Sequence, residues 1–304
     1  VTSLSIHLPT FDPLRVGGPL RVVECARLAE QLGFDAVSVG DHLWCPAPVY
    51  DAGISLAAAA AVTERVKLGF GVMLLGLREP AWAAKQLITL DALAPGRLVL
   101  GVGVGGEFPA EFEAVGLKVS QRGRRLDEAL SVLPDLLMGR AVSHAGTALT
   151  LETPALEPPI TALPPIYVGG RGEPALERAA RFGDAWMPIW MSPERMQERA
   201  QRLAELAEGH GRPQPKLALM LGVHVDEDED RARARATEYI RGQYGMPFEK
   251  VERWTAFGSA QRVAEYIESH RAVGVEHFTL MSLTDEPLTQ IDRLAAVREL
   301  ACAP

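Results

Sequence analysis

Four short segments of the 304-residue chain gather the residue types that chemistry requires. SVGDHLWCP at 38–46 sets Asp41 beside His42. Histidine exchanges a proton near neutral pH, so the pair reads as an acid–base candidate; a packed histidine beside a loop-capping aspartate is the plainer alternative. GVGVGGEFPAEF at 101–112 carries Gly101, Gly103, Gly105 and Gly106, which leave backbone amides open to a ligand, and Glu107 and Glu111 as further acids. No GK[ST] follows, so this is not a triphosphate-binding loop, and glycine also suits a crowded backbone. YVGGRGEPALERAA at 167–180 places Gly169, Gly170, Arg171 and Gly172 ahead of a helix. Open amides, a helix amino terminus and a cation suit a phosphate; a tight turn with an exposed arginine is the alternative. LGFGVMLLGLREP at 68–80 adds Gly69 and Gly71, which admit a flat ligand or a neighbouring backbone, and Arg78, which would pair with an anion or stay solvated.

These segments matter because each follows an apolar run that reads as a strand. Runs at 4–8, 35–39, 66–73, 97–102, 165–168, 185–187, 216–223 and 276–280 read as strands, each followed by helical sequence. Pro80 suits a first helical turn, Ser259 an N-cap, and a charged helix is expected over 228–240. Eight such units predict a (βα)8 TIM barrel, which assembles its site at the carboxyl ends of the strands. An open doubly wound sheet is the alternative, but the first turn, PTFDPLRVGG, lacks a dinucleotide signature. The chain reads as one domain, 1–304, with an insertion at approximately 105–164 after the fourth strand. That insertion holds a helix at 122–137 and then a Thr- and Pro-rich stretch expected as a hairpin and an extended arm, placed to cover the site or merely a face. A loop over 239–257 carries Tyr244, Met246, Phe248 and Trp254, a lid or ordinary packing. His7 is a further candidate for the cavity lining. Trp186, Met187, Trp190 and Met191 would wall an apolar pocket or fill the core.

Composition excludes other classes. A net charge of −8 argues against a general nucleic-acid binder, which needs a positive surface. No run is long enough to span a membrane, and the amino terminus lacks the pattern of a signal peptide. The cysteines Cys25, Cys45 and Cys302 form no disulfide framework and fit a reducing cytoplasm. The seven histidines show no metal spacing, and no GxSxG elbow is present. The apolar helix Pro80–Leu93, with Trp82, Leu87, Ile88 and Leu90, suggests a homodimer.

The chain also resembles the luciferase-like superfamily, especially its coenzyme F420-dependent oxidoreductase branch. The resemblance rests on ARLAEQLGFDAVSVGDH (26–42), LITLDALAPGRLVLGVGVGG (87–106), EFEAVG (111–116), RGRRLDEAL (122–130), PPIYVGGRGEPALERAARFGDAWMP (164–188) and GSAQRVAEYIESHRAVGVEHFTL (258–280), in that order. It implies a barrel with an insertion after the fourth strand and His42 beside the reactive part of a deazaflavin. It implies a non-proline cis peptide at Gly71–Val72 under the ring, Asp41, Gly103, Gly105 and Gly106 near the cofactor, and Gly169, Gly170 and Arg171 around its phosphate. Many relatives carry tryptophan after GVGxG; here Gly106 stands there, so the wall should differ. The implied reaction is hydride transfer between the deazaflavin C5 and a small organic substrate, with His42 handling a proton and Glu107 or Glu111 assisting. Arg171 and Arg78 are candidates for the anionic tail of F420, with Arg122, Arg124 and Arg125 in the insertion expected to border it. The alternatives are an FMN-dependent monooxygenase, supplied with reduced flavin by a reductase, and a non-catalytic ligand-binding barrel.

Overall fold

Short runs of Leu, Val and Ile become parallel strands because one set of side chains packs outward under a layer of helices while the other lines an interior. The structure is a computed structural model that describes residues 2–15, 17–18 and 20–301. In chain order the strands are β1 (Ser3–His7), β2 (Ala36–Val39), β3 (Lys67–Phe70), β4 (Leu98–Val102), β5 (Val142–Ala145), β6 (Thr150–Thr153), β7 (Ile166–Gly169), β8 (Ala185–Met187), β9 (Lys216–Val225), β10 (Ala256–Gly258) and β11 (Val275–Ser282). The order β1-β2-β3-β4-β7-β8-β9-β11 closes on itself, since β11 pairs with β1 and every neighbouring pair is parallel. This is the expected eight-stranded barrel. The three-residue β10 extends the carboxyl end of β9 in a stretch expected to be loop.

The helices are α1 (Leu20–Gln31), α2 (Ala52–Ala60), α3 (Pro80–Leu93), α4 (Pro109–Ala114), α5 (Arg122–Leu137), α6 (Glu173–Phe182), α7 (Pro193–Gly209), α8 (Glu229–Tyr244), α9 (Ala260–Arg271) and α10 (Pro287–Ala301). Leu4, Ile6, Leu100 and Val168 are fully buried between strands and helices. Pro80 opens α3, and Ser259 caps α9 by accepting from the Arg262 amide at 3.3 Å. α2 begins at Ala52, where the Asp51 carboxylate caps it through the Ile54 amide at 2.8 Å. One helix boundary differs from expectation. α8 runs on past Ile240 to Tyr244, because nothing breaks it before Gly245, which adopts φ 64°. Tyr244 is therefore on a helix and not in a loop.

The insertion forms the expected hairpin, β5–β6, with Val142 opposite Thr153. Val142, Leu149 and Ile160 are buried in the same core as Leu133, Leu136 and Leu137 of α5. On α3, Leu87, Ile88 and Leu90 are consumed by the chain's own core, and only Trp82 and Leu93 face outward. Cys25 and Cys45 are buried free thiols; Cys302 lies outside the described residues. No helix among the described residues is long and apolar enough to cross a membrane.

Candidate active site

The carboxyl ends of the strands surround a cavity of about 450 Å³, within the range of small-molecule sites. His7, Asp41, His42, Gly71, Val72 and Gly103 line one side, and Gly169, Gly170, Arg171, Trp190, Gln243 and Tyr244 the other.

His42 follows β2 and is held by the insertion. Its Nδ1 lies 3.1 and 3.2 Å from the two carboxylate oxygens of Glu111 on α4, and the Leu43 amide donates to the same carboxylate at 3.2 Å. Glu111 is fully buried and does not reach the cavity wall. Accepting from Nδ1–H, it fixes the tautomer that leaves Nε2 as the ring's free atom. Phe11 and Phe108 present edges to the ring, at 5.8 and 5.2 Å, and restrict its rotation. Glu107 lies at the cavity rim and makes no hydrogen bond to His42 among the described residues.

Asp41 faces away from chemistry. Both its oxygens accept from the Arg78 guanidinium, at 2.6 and 2.8 Å, and one also accepts the Leu74 amide at 2.8 Å. The pair fastens the end of β2 to the segment after β3. That segment begins with a cis peptide bond at Gly71–Val72, the position expected of it. The Gly71 amide bonds Val39 O at 2.8 Å, and the Met73 amide bonds Gly101 O at 2.8 Å. The Val72 side chain then turns toward β4. A Cβ on Gly103 would lie 2.4 Å from Val72 Cγ2, so glycine is required there by packing as well as by any ligand. Gly105 lines the cavity; Gly106 does not, and instead lies under the Arg122 side chain.

Beneath Gly71 lies His7, whose Nδ1 is 3.1 Å from Ser38 Oγ. Burial lowers its pKa from 6.5 to about 4, so the ring is neutral at ordinary pH.

On the opposite wall, Gly170 takes φ 115° and turns the chain from β7 into α6. Trp186 anchors this loop by donating its indole N–H to Gly170 O at 2.8 Å. Gly172 caps α6 with no side chain over the first amides, and Arg171 stands exposed beside them. The arrangement offers an anion open amides, a helix amino terminus and a guanidinium.

Two of the other candidates are committed elsewhere. Arg78 is bound to Asp41, and Arg125 is buried, donates to Gly76 O and Ala148 O and pairs with Glu79. Arg122 donates to Val119 O while its Nε is buried without a hydrogen-bond partner. Of the Trp and Met cluster, Met187 and Trp190 line the cavity, whereas Trp186 and Met191 are buried in the core, as strand alternation and the following turn dictate. Gln243 falls in a stretch that the sequence marks as loop; it stands on α8 and lines the cavity. Among the described residues no three metal-ligating side chains gather.

A parallel eight-stranded barrel with a histidine, a glycine-lined wall and an open helix start around one cavity is the architecture of a barrel oxidoreductase. The chain belongs to the luciferase-like monooxygenase family, whose model matches residues 5–297. An F420-dependent glucose-6-phosphate dehydrogenase of Rhodococcus erythropolis is 34% identical over 179 residues, 56% of this chain and 53% of that protein. This chain thus spans about half of that relative. Two solved structures share the fold: an F420-dependent secondary alcohol dehydrogenase in complex with an F420-acetone adduct (TM-score 0.85, 22% identity, 99% of each chain) and a monooxygenase from Streptomyces bottropensis (TM-score 0.82, 23% identity, 96% of this chain and 97% of that one).

Proposed function

We propose that the protein is an F420-dependent oxidoreductase that moves a hydride between the deazaflavin C5 and a small organic substrate. The observation that carries this reading is His42, which lines the same cavity as Gly71 and Val72 and is held from behind by Glu111 at 3.1 Å. The residues present fit the ring and the phosphate of the cofactor. Gly71 has no side chain to obstruct a flat ring; a Cβ there would meet Met220 at 2.9 Å. Gly169, Gly170 and Arg171 with the start of α6 would hold the phosphate, and Gly103 and Gly105 would border the ring. The kinship to a dehydrogenase named for F420 supports the choice of cofactor.

When bound, F420 supplies or accepts the hydride at C5. The chain supplies placement and proton management. In alcohol oxidation His42 Nε2 accepts the hydroxyl proton as hydride leaves the carbon, and Glu111 stabilises the imidazolium through Nδ1–H. In reduction the same atom returns a proton to the product oxygen. Asp41 and Arg78 hold the shelf in register with β2, and Glu107 at the rim contacts solvent or substrate.

The runner-up is an FMN-dependent monooxygenase served by a separate reductase, favoured by the likeness to the Streptomyces monooxygenase. Equilibrium titration of apo-protein with F420 and with FMN, followed by anaerobic reduction, separates the two. Tight F420 binding is expected; submicromolar FMN binding without F420 binding would overturn the reading, and binding of neither favours a non-catalytic barrel. We also read the protein as a cytoplasmic homodimer, with Trp82 and Leu93 of α3 and Ile54 of α2 exposed for a second copy.

A further inference from the structure

Two polar groups in the cavity wall have been taken out of water and given no partner. The Gln243 side chain hydrogen-bonds the neighbouring Tyr244 hydroxyl, but its carboxamide oxygen is buried without a bond, on a residue only 4% exposed, and the Trp190 indole nitrogen is likewise buried and unbonded. Both residues line the cavity. Leaving such groups unsatisfied is costly, so native structures rarely do so unless a ligand completes them.

Trp190 carries a second, independent sign. Its φ is 54°, a left-handed conformation that a bulky residue seldom adopts. Around its side chain, Tyr244 packs edge-on at 5.1 Å, and the Arg171 guanidinium lies over the indole at 5.7 Å. Strain of this kind gathers where a side chain must be held for a ligand.

Charge then narrows the ligand. Among the described residues lining the cavity Arg171 is the sole arginine and no lysine is present. Arg171 belongs to the Gly169–Gly172 loop assigned to the cofactor phosphate. No lysine and no second arginine stands among the described lining residues to neutralise an anionic substrate. The remaining wall near Trp190 is Ile189, Tyr244, Met281 and Phe11.

We infer that Gln243 and Trp190 form a substrate-recognition subsite for an uncharged molecule with an apolar body and a neutral group that both donates and accepts, a hydroxyl or a carboxamide, apart from the reacting carbon. The Gln243 oxygen accepts from that group and the Trp190 N–H donates to it. A phosphorylated substrate should bind worst. The inference rests on the oxidoreductase reading for its premise that the cavity beyond the cofactor holds substrate.

The test measures binding by calorimetry on protein saturated with F420, using benzyl alcohol, benzamide, toluene and phenyl phosphate. Benzyl alcohol and benzamide should bind about 10-fold or more tightly than toluene, the gap expected of a satisfied buried pair, and phenyl phosphate should bind least. Gln243→Leu and Trp190→Phe should each collapse that gap while Gln243→Leu leaves F420 affinity unchanged; thermal melts establish that each variant folds, and either variant alone suffices. Phenyl phosphate binding tightest, a gap that survives both substitutions, or no binding of any probe overturns the subsite. Should the protein saturate with FMN and not F420, the cofactor reading fails, and the same probes on the FMN-loaded protein still decide the subsite.

Discussion

His42 Nδ1 lies 3.1 Å from the Glu111 carboxylate, across 69 positions of chain. A buried carboxylate against one ring nitrogen commits the other to the cavity. His42→Ala should lower kcat by about 100- to 10,000-fold, the usual yield of a positioned proton-transfer group, while F420 affinity stays close to wild type. Glu111→Gln should lower kcat less and shift the pH–rate profile, since it acts through His42. Steady-state kinetics and fluorescence titration of the cofactor check both; unchanged turnover in His42→Ala under saturating cofactor would exclude the role.

Asp41 should behave as a structural residue. Its carboxylate is nearly inaccessible and grips Arg78 with two bonds. Asp41→Asn leaves the Arg78 charge without its counter-charge, at a cost of about 3 kcal/mol. The melting temperature should fall and cofactor affinity should weaken, with kcat at saturation reduced far less than in His42→Ala. Calorimetric melting alongside the kinetics tests this division of labour.

Gly103→Ala should damage the shelf without touching a titratable group. The added methyl would sit 2.4 Å from Val72 Cγ2. Overpacking of this kind costs about 1–3 kcal/mol, and displacing Val72 should weaken cofactor binding. A variant with native stability and native F420 affinity would contradict the packing account.

The buried His7 predicts acid sensitivity. Its pKa is lowered from 6.5 to about 4 by burial, so the unfolded chain takes up this proton first. Stability is full above about pH 6.5 and is lost as pH falls toward 4, by roughly 3 kcal/mol at the lower end. His224 and His277 are also lowered, chiefly by burial, and add to the slope with the same sign. Denaturant melts between pH 7 and 4 should show it, and His7→Gln should flatten the curve.

The exposed Trp82, 72% accessible on α3, should lie in a homodimer interface. Light scattering at micromolar concentration should return twice the chain mass for wild type and the chain mass for Trp82→Lys. A wild-type monomer would refute the assembly.

What the chain determined by itself was local. Apolar runs of strand length, helices after each, Pro80 and Ser259 at helix starts, and glycines after the third, fourth and fifth barrel strands follow from backbone sterics and period, which depend on neighbours in sequence. These sufficed for the barrel and for placing Asp41, His42 and the Gly169–Arg171 loop at strand ends. Tertiary structure decided how those side chains are spent. Asp41 looks free in sequence but is bound by Arg78, 37 positions away, and Glu111 turns from a second acid into the partner of His42. Trp186 and Trp190 differ by four positions, yet one anchors Gly170 from the core and the other enters the cavity, because the turn after β8 reverses which side faces inward. Gln243 has no marker in its charged helix; only the closure of α8 over the barrel mouth strands its oxygen in the wall. Hydrogen-bond partners and desolvation depend on what the fold brings near, and distance in space is not written in the spacing of residues.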